Sequence, residues 1–358
     1  MRLAPDDLEA ALLGGAFLGG GGGGSVAIGR EMGCAAMAAG GPELLPIDAL
    51  DDSAMVATVA LVGSPASRQA EVVPSDYVRA CELLIAEMAS PLAGLITCEN
   101  GAAATVNGWL QAAHLAIPVI DAPANGRAHP TSDIGGLQLE QVAGFESVQA
   151  ACGGSRARGA YLERQVRGSL PTANREVRAV ADQAGGLVAV ARNPVAAAYL
   201  AKHAAVGAIG QAIELGKRLQ RVAGRGARPV TEAAAEVLGA AVLVGSGRVE
   251  SLDLRTAGGF DSGSVRVGGL ELTIWNEYMT LESSGQRLAT FPDLIVTLDL
   301  QTGMTVTSAE LWEGAVVAVV VVPAGALPLA PAALDPVHLV VIERVTGKDV
   351  LPYARPTC

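Results

Sequence analysis

The sequence predicts an α/β N-terminal domain with a mainly parallel sheet and crossover helices, followed by a smaller, mainly-β C-terminal domain, a sandwich or barrel. Its 358 residues suit two domains, since one domain usually has roughly 100–200 residues. The first half alternates apolar runs with amphipathic stretches, as βα units do. After residue 242, short apolar segments are separated by glycine and proline, which is typical of all-β architectures. We therefore expect an α/β catalytic domain over residues 1–171, a helical segment packing on it over 172–241, and a mainly-β domain over 242–358.

The N-terminal elements follow from local patterns. Apolar residues at helical spacing, preceded by two acids that suit a helix N-terminus, predict a first helix over residues 6–17. After the glycines at 19–24, an amphipathic stretch to about residue 39 predicts a second helix. Continuous apolar runs predict buried strands, and the stretches between them predict helices that impose parallel pairing. Strands are assigned to residues 55–62, 92–97 and 117–121, and helices to 77–88 and 101–115.

The remainder of the chain changes character twice. Residues 172–241 are rich in alanine and predict helices, with Pro194 and Pro229 as breaks. Residues 247–268 then alternate apolar and polar side chains between glycine turns, which predicts strands. Further strands are expected at residues 270–275, 288–291, 294–298, 315–322 and 337–345, and the last of these could return to the first domain.

Composition disfavours several function classes. Lys+Arg 25 against Asp+Glu 36 gives a net charge of −11, whereas binding to nucleic-acid phosphates needs clustered cations. The longest aliphatic block, residues 315–322, is far shorter than the about 20 residues of a membrane-spanning helix. The N-terminus lacks a signal-peptide pattern. The cysteines are odd in number and form no CxxC pair, so we expect free thiols in a cytoplasmic protein: Cys34, Cys81, Cys98, Cys152 and Cys358.

The six consecutive glycines at residues 19–24 are the most unusual feature. Each ordered glycine costs roughly 0.5–1 kcal/mol relative to alanine. A compensating use is close backbone approach, with N–H groups at a helix N-terminus facing an anion or a polarised carbonyl. No Gly-Lys-Ser/Thr follows and no strand precedes, so neither a P-loop nor a dinucleotide site is favoured. A ligand cradle and a flexible turn are the two interpretations.

Two polar clusters follow predicted strands, where ligands bind in parallel α/β sheets. The first, at residues 98–100, brings a thiol, a carboxylate and an amide together, with a turn and helix cap as the alternative. The second, at residues 121–130, is the densest polar segment of the chain and contains an acid, an amide, a cation and an imidazole. Its Arg127 could clamp a substrate carboxylate or form a surface salt bridge. The other histidines, His114, His203 and His338, are interpreted as structural.

A divalent metal is an alternative for these clusters. Glu99, Asp121 and His129 would supply the oxygen, oxygen and nitrogen ligands that zinc or a similar ion accepts. Their spacing matches no known metal signature. No cofactor is therefore predicted, and the metal stays a second interpretation.

Six patterns occur in order along nearly the whole chain: residues 17–25 with 28–30, Glu99-Asn100-Gly101, residues 118–121 with 125–128, 210–216, 276–278 and 292–295. No single one of these motifs is specific, but their order is. In that order they resemble the S-methyl-thiohydantoin desulfurase family, whose members often accompany hydantoinase/oxoprolinase proteins. The chain differs from the family pattern where Cys98, His129 and Thr131 stand, which leaves its substrate open.

This resemblance implies hydrolytic removal of a thiol from an S-methyl thiohydantoin. Glu99 would be the general base, Asp121 a second acid/base, His129 a proton donor, and Cys98 an alternative covalent nucleophile. The substrate-binding residues would be Gly20, Gly21, Gly22, Gly23, Gly24, Ser25, Asn100, Asn125 and Arg127.

Two other functions are alternatives. The chain could be a metal-assisted cyclic-amide hydrolase, or a non-catalytic, ligand-binding accessory subunit of a hydantoinase-type system. A hydantoinase/oxoprolinase-type protein partner and a homo-oligomer are expected, the latter because the alanine-rich and aliphatic segments leave apolar faces.

Overall fold

The computed structural model describes residues 1–63, 67 and 69–354, and Cys358 lies outside this range. A mixed sheet of seven strands forms the N-terminal domain, in the order β1-β4-β3-β2-β7-β5-β6. Its first four strands pair in parallel, as predicted, and β7, β5 and β6 continue it in antiparallel fashion. The strands are β1 Leu44–Leu45, β2 Met55–Gly63, β3 Leu92–Thr97, β4 Val119–Ile120, β5 Ser147–Gly153, β6 Leu162–Gly168 and β7 Leu187–Ala196.

Ten α-helices are found in the described residues. The predicted helix over residues 101–115 is divided, because Gly108 takes a left-handed conformation (φ +103°) and begins a new helix. Helices α1 and α8 cross so closely that a Cβ at Gly14 or Gly216 would overlap the opposing backbone. The helices are α1 Pro5–Leu18, α2 Val26–Ala38, α3 Pro74–Ile85, α4 Ala102–Val106, α5 Trp109–Leu115, α6 Leu170–Gln183, α7 Ala197–His203, α8 Ala208–Gln220, α9 Ala227–Leu238 and α10 Pro336–Thr346.

The segment predicted as helical over residues 172–241 contains β7, which lies between β2 and β5 in the N-terminal sheet. That part of the prediction is wrong. Residues 188–191 are apolar on both faces and buried, as is typical of an interior strand. Pro194 does not break a helix but lies within the strand. The segment thus supplies an interior strand of the first sheet as well as four helices.

The C-terminal domain is one antiparallel sheet of eight strands, in the order β12-β11-β10-β9-β8-β15-β13-β14. The sheet folds over on itself, and the hydroxyl of Tyr278 on β11 lies 2.9 Å from that of Thr297 on β13. A buried aliphatic cluster fills the fold. The strands are β8 Val242–Ala257, β9 Phe260–Val267, β10 Leu270–Trp275, β11 Glu277–Ser283, β12 Gln286–Thr290, β13 Leu294–Asp299, β14 Thr305–Val306 and β15 Val316–Val322.

The predicted strand over residues 337–345 is instead helix α10. Its helix-start signal outweighs the β-branched residues: Asp335 caps the N-terminus by accepting the Val337 N–H at 3.0 Å, and Pro336 occupies the first turn. Gly347, in the left-handed conformation, ends the helix.

The two domains share a buried apolar core. The C-terminal end of α1, helices α8 and α9, and strands β13 and β15 contribute to it. Phe17 and Leu18, the last residues of α1, are fully buried there. This packing holds the glycine segment, residues 19–24 after α1, against the β domain. Within the described residues, no helix is both long and apolar enough to cross a membrane.

Candidate functional site

The glycine segment joins the two domains through its carbonyl groups. The Gly20 carbonyl accepts the Tyr278 N–H at 3.0 Å, and the Gly21 carbonyl accepts the Ser308 N–H at 2.9 Å. Its other end is bound to the first domain, because the Gly23 carbonyl accepts the N–H groups that begin α4. The segment is therefore tied to both domains by hydrogen bonds, which favours the ligand-cradle interpretation over the flexible turn.

Backbone conformation and packing both require glycine here. Gly20, Gly21, Gly23 and Gly24 have φ values of +55°, +96°, +77° and +79°, which side chains rarely adopt. A Cβ on Gly22, whose conformation is ordinary, would instead lie 2.8 Å from Cδ of Glu277 and closer still to its Oε1. Each position thus has its own reason to lack a side chain.

A cavity of about 450 Å³ lies between the domains. Its floor is formed by the ends of β2 and β3, the start of α2 and residues 129–132, and its roof by residues of the β domain. Gly21–Gly24 and Ser25 line it, and the Ser25 hydroxyl also caps α2 by accepting the Ile28 N–H at 3.2 Å. Within the described part of the chain, the N–H groups of Gly21, Gly23 and Gly24 have no acceptor. The charged or titratable side chains that line the cavity are Cys98, Glu99, His129, Arg178, Arg192, Asp261, Glu277 and Glu310.

Glu99 and His129 meet at the floor of this cavity. The Glu99 Oε2 accepts the backbone N–H of His129 at 3.1 Å and lies 3.4 Å from the ring Nε2. The same Nε2 is 3.3 Å from the carbonyl oxygen of Cys98. A neutral imidazole with its proton on Nε2 donates to the Cys98 carbonyl. The Glu99 carboxylate is oriented by the backbone N–H of His129.

Burial shifts both groups toward their neutral forms. It raises the pKa of Glu99 to about 7, against the opposing effect of the His129 N–H and of the Arg192 and Arg127 charges. Burial also lowers the pKa of His129 to about 4. At neutral pH, Glu99 is therefore near half ionisation and His129 is uncharged.

The predicted site residues leave out five charged groups that line the cavity: Arg178, Arg192, Asp261, Glu277 and Glu310. The two most buried of these are Arg192 and Glu277. Arg192 lies on β7, is 2% exposed, and its guanidinium donates no hydrogen bond to any residue in the described ranges. Glu277 begins β11, is 3% exposed, and its Oε2 has no partner among the described residues. Recognising 187–196 as a strand would have placed Arg192 in the N-terminal sheet, paired with Thr58 of β2. Glu277 lies in the 276–278 motif, but no local signal ties it to Glu99.

Four predicted substrate-binding residues do not line the cavity: Gly20, Asn100, Asn125 and Arg127. The Asn100 amide donates to the carbonyls of Gly126 and Ala208, at 3.2 and 2.8 Å. Asn125 donates to the Arg127 carbonyl at 3.0 Å. These donors are thus occupied by the protein's own backbone.

Arg127 is fully buried behind the glycine segment. Its guanidinium donates to the carbonyls of Pro292 and Asp293 and lies 4.8 Å from the Phe291 ring centroid. A Cβ on Gly20 would lie 2.7 Å from its Nη2. Burial lowers the pKa of Arg127 to about 10, which leaves it charged at neutral pH. It therefore supplies positive charge to the buried carboxylates and lies outside the cavity lining, with its Nη2 without a partner among the described residues.

The structure separates Asp121 from Glu99 and His129. Its carboxylate accepts the N–H groups of Ile209 and Gly210, at 2.7 and 3.1 Å, and so stabilises the start of α8. It borders a different surface pocket. The predicted three-residue metal site is not assembled, and among the described residues no group of three or more His, Cys, Asp or Glu is arranged to hold a metal.

Cys98 lines the cavity but is poorly placed as a nucleophile. Its thiol is buried, and burial together with the charge of Glu99 raises the pKa of the thiol far above its ordinary value. His129 contacts the backbone carbonyl of Cys98 and not its sulfur. The thiolate needed for covalent catalysis is thus strongly disfavoured.

Comparisons with known proteins agree along the chain. The profile of the S-Me-THD-like N-terminal domain matches residues 6–154, and that of the S-Me-THD-like C-terminal domain matches residues 169–337. A crystal structure of a protein from Chromobacterium violaceum, a Northeast Structural Genomics Consortium target, covers 100% of this chain and 99% of its own. It has a TM-score of 0.71 and 22% identity, and so supports the fold alone. No curated protein matches the chain.

Proposed function

Because the chain belongs to the S-Me-THD-like family, we propose that it is a hydrolase that removes methanethiol from an S-methylated thiohydantoin ring. The observation that carries the proposal is the carboxyl group of Glu99, buried beside His129 at the floor of a small-molecule cavity. A volume of about 450 Å³ falls within the range of small-ligand sites.

Glu99 is suited to act as the general base. Its pKa of about 7 lets the carboxylate exist at neutral pH while remaining basic enough to take a proton from water. As that proton leaves, the water oxygen bonds to the ring carbon that bears sulfur. Methanethiol then departs and leaves a carbonyl, so one water is consumed for each hydantoin formed.

His129 has a positioning role in this mechanism. With its pKa lowered to about 4, the ring is uncharged at neutral pH and is a poor acid. The backbone N–H of His129 donates to the Glu99 carboxylate at 3.1 Å and so holds that group in place at the cavity.

Arg192 takes the substrate-binding role first expected of Arg127. It is a buried cation with no hydrogen-bond acceptor among the described residues, and it lines the cavity. A substrate anion, or the charge that develops on the ring, would satisfy it. The N–H groups of Gly21, Gly23 and Gly24 offer further donors at the same cavity.

The test is release of methanethiol from S-methyl thiohydantoins, with the hydantoin product identified by mass and by incorporation of one labelled oxygen from water. Glu99→Gln should lower kcat by about 10²–10⁴-fold. The matched control is Asp121→Asn, a half-buried carboxylate outside the cavity, which should retain turnover. Absence of methanethiol from folded wild-type protein would refute the desulfurase proposal, and full turnover by Glu99→Gln would refute the base assignment.

A further inference from the structure

Glu277 is held at the cavity by the β domain. The turn before it is fixed at Asn276, whose N–H donates to the Asp261 carbonyl at 2.7 Å and whose carbonyl accepts the Ser308 hydroxyl at 2.7 Å. Asn276 takes a left-handed conformation with φ +59°. The side chain that follows is confined on one side by Gly22. Its carboxyl group therefore has little freedom to move.

The surroundings of this carboxyl group favour its neutral form. It is 3% exposed, and Oε2 meets no donor from the described residues. An ionised carboxylate that is buried without hydrogen bonds is costly, whereas a protonated one can direct an O–H into the cavity. Burial and the charge of Glu99 raise the pKa of Glu277 well above its ordinary value, and Arg127 opposes this shift.

Glu99 and Glu277 thus line one cavity, the first from the N-terminal domain and the second from the β domain. We propose that Glu277 is the acid that protonates the ring nitrogen as Glu99 deprotonates the attacking water, an inference that rests on the proposed function. Enzymes often use two carboxyl groups as acid and base when the surroundings give the two groups different pKa values.

The two groups return to their starting states within one turnover. Water adds to the C=N carbon, its proton passes to Glu99, and the C=N electron pair takes the Glu277 proton at nitrogen. The C–S bond then breaks, and the departing sulfur takes the proton from Glu99. The added hydroxyl gives its proton to Glu277 as the carbonyl forms. The sum is substrate plus water giving hydantoin plus methanethiol.

The test is the pH profile of kcat/KM. Wild-type activity should rise as Glu99 ionises and fall at alkaline pH as Glu277 loses its proton. Glu277→Gln should lower kcat by about 10²–10⁴-fold and remove the alkaline limb, and Glu277→Asp should retain that limb with lower activity. Glu271→Gln, on neighbouring β10 and outside the cavity, should match the wild type.

The outcomes separate the two proposals. Failure of the wild type to release methanethiol overturns the proposed function. Release by the wild type with an unchanged alkaline limb in Glu277→Gln overturns only the Glu277 assignment, even if the rate falls. A second measurement needs no turnover: infrared spectra at a pH where Glu99 is ionised should show a carboxylic-acid band that Glu277→Gln lacks and Glu271→Gln keeps. Its persistence in Glu277→Gln overturns the assignment.

Discussion

Substitution of Gly22 by alanine should disable the site through one added methyl group. The new Cβ would lie 2.8 Å from Cδ and 2.9 Å from Cγ of Glu277, against the 3.4 Å at which ordinary contact begins. The φ of Gly22 is ordinary, so backbone strain does not contribute. Glu277 cannot retreat freely because it is buried and because the backbone on both sides of it is hydrogen-bonded, at Asn276 and Tyr278.

Two magnitudes follow from this geometry. Forcing a methyl group into a packed site costs about 1–3 kcal/mol of unfolding free energy. Displacing a catalytic group by about 1 Å lowers the rate by about 10²-fold. Gly22→Ala should therefore lower both the thermal midpoint and kcat. The assays are calorimetry and methanethiol release, performed on the same preparation.

A matched pair of controls isolates the contact. Gly136→Ala places its Cβ 3.0 Å from the end of the Leu170 side chain, away from the cavity, and should preserve kcat. In a Glu277→Ala background the added methyl has no carboxyl group to meet, so most of the destabilisation should disappear. If Gly22→Ala keeps wild-type stability and kcat, the reasoning about this contact is refuted.

Two further predictions concern Glu99 and Cys98. Because the folded state raises the pKa of Glu99 from 4.5 to about 7, the folded protein binds more protons than the unfolded chain, and stability should fall as pH rises between these values. Glu99→Gln should remove this loss. Its unfolding free energy should equal that of the wild type near pH 4 and exceed it by on the order of 2–3 kcal/mol at pH 8. An equal difference between the two proteins at both pH values would contradict the pKa shift. Cys98→Ala should retain most of kcat because the buried thiol is not ionised. Loss of turnover in a folded Cys98→Ala variant, together with a thiol adduct detected by mass in the wild type, would instead support the covalent mechanism.

Local patterns predicted much of the N-terminal domain. The apolar run of β2 and the alternating strands and helices gave the parallel part of the sheet. The same patterns misassigned β7, since alanine-rich neighbours and Pro194 resemble interrupted helix. They also misassigned α10, where β-branched residues outnumber the capping signals at its ends.

The candidate site was predictable only where it depends on adjacent residues. Glu99 and His129 both follow strands, so their meeting at one sheet edge could be expected. Asp121 also follows a strand, but its carboxylate turns toward α8, a helix that begins far along the chain. Glu277 arrives from another domain, and tertiary packing alone decides such a neighbour.

The cavity's division between domains has a consequence for how the protein could have diversified. Glu99 belongs to the segment matched by the N-terminal family profile and Glu277 to that matched by the C-terminal one, while the glycine segment touches both. Neither half contains both of the carboxyl groups proposed to act together. A chimera that joins halves of two relatives should therefore be active only if its second half places a carboxyl group that fits against the glycines of its first half. The two halves should then have changed together.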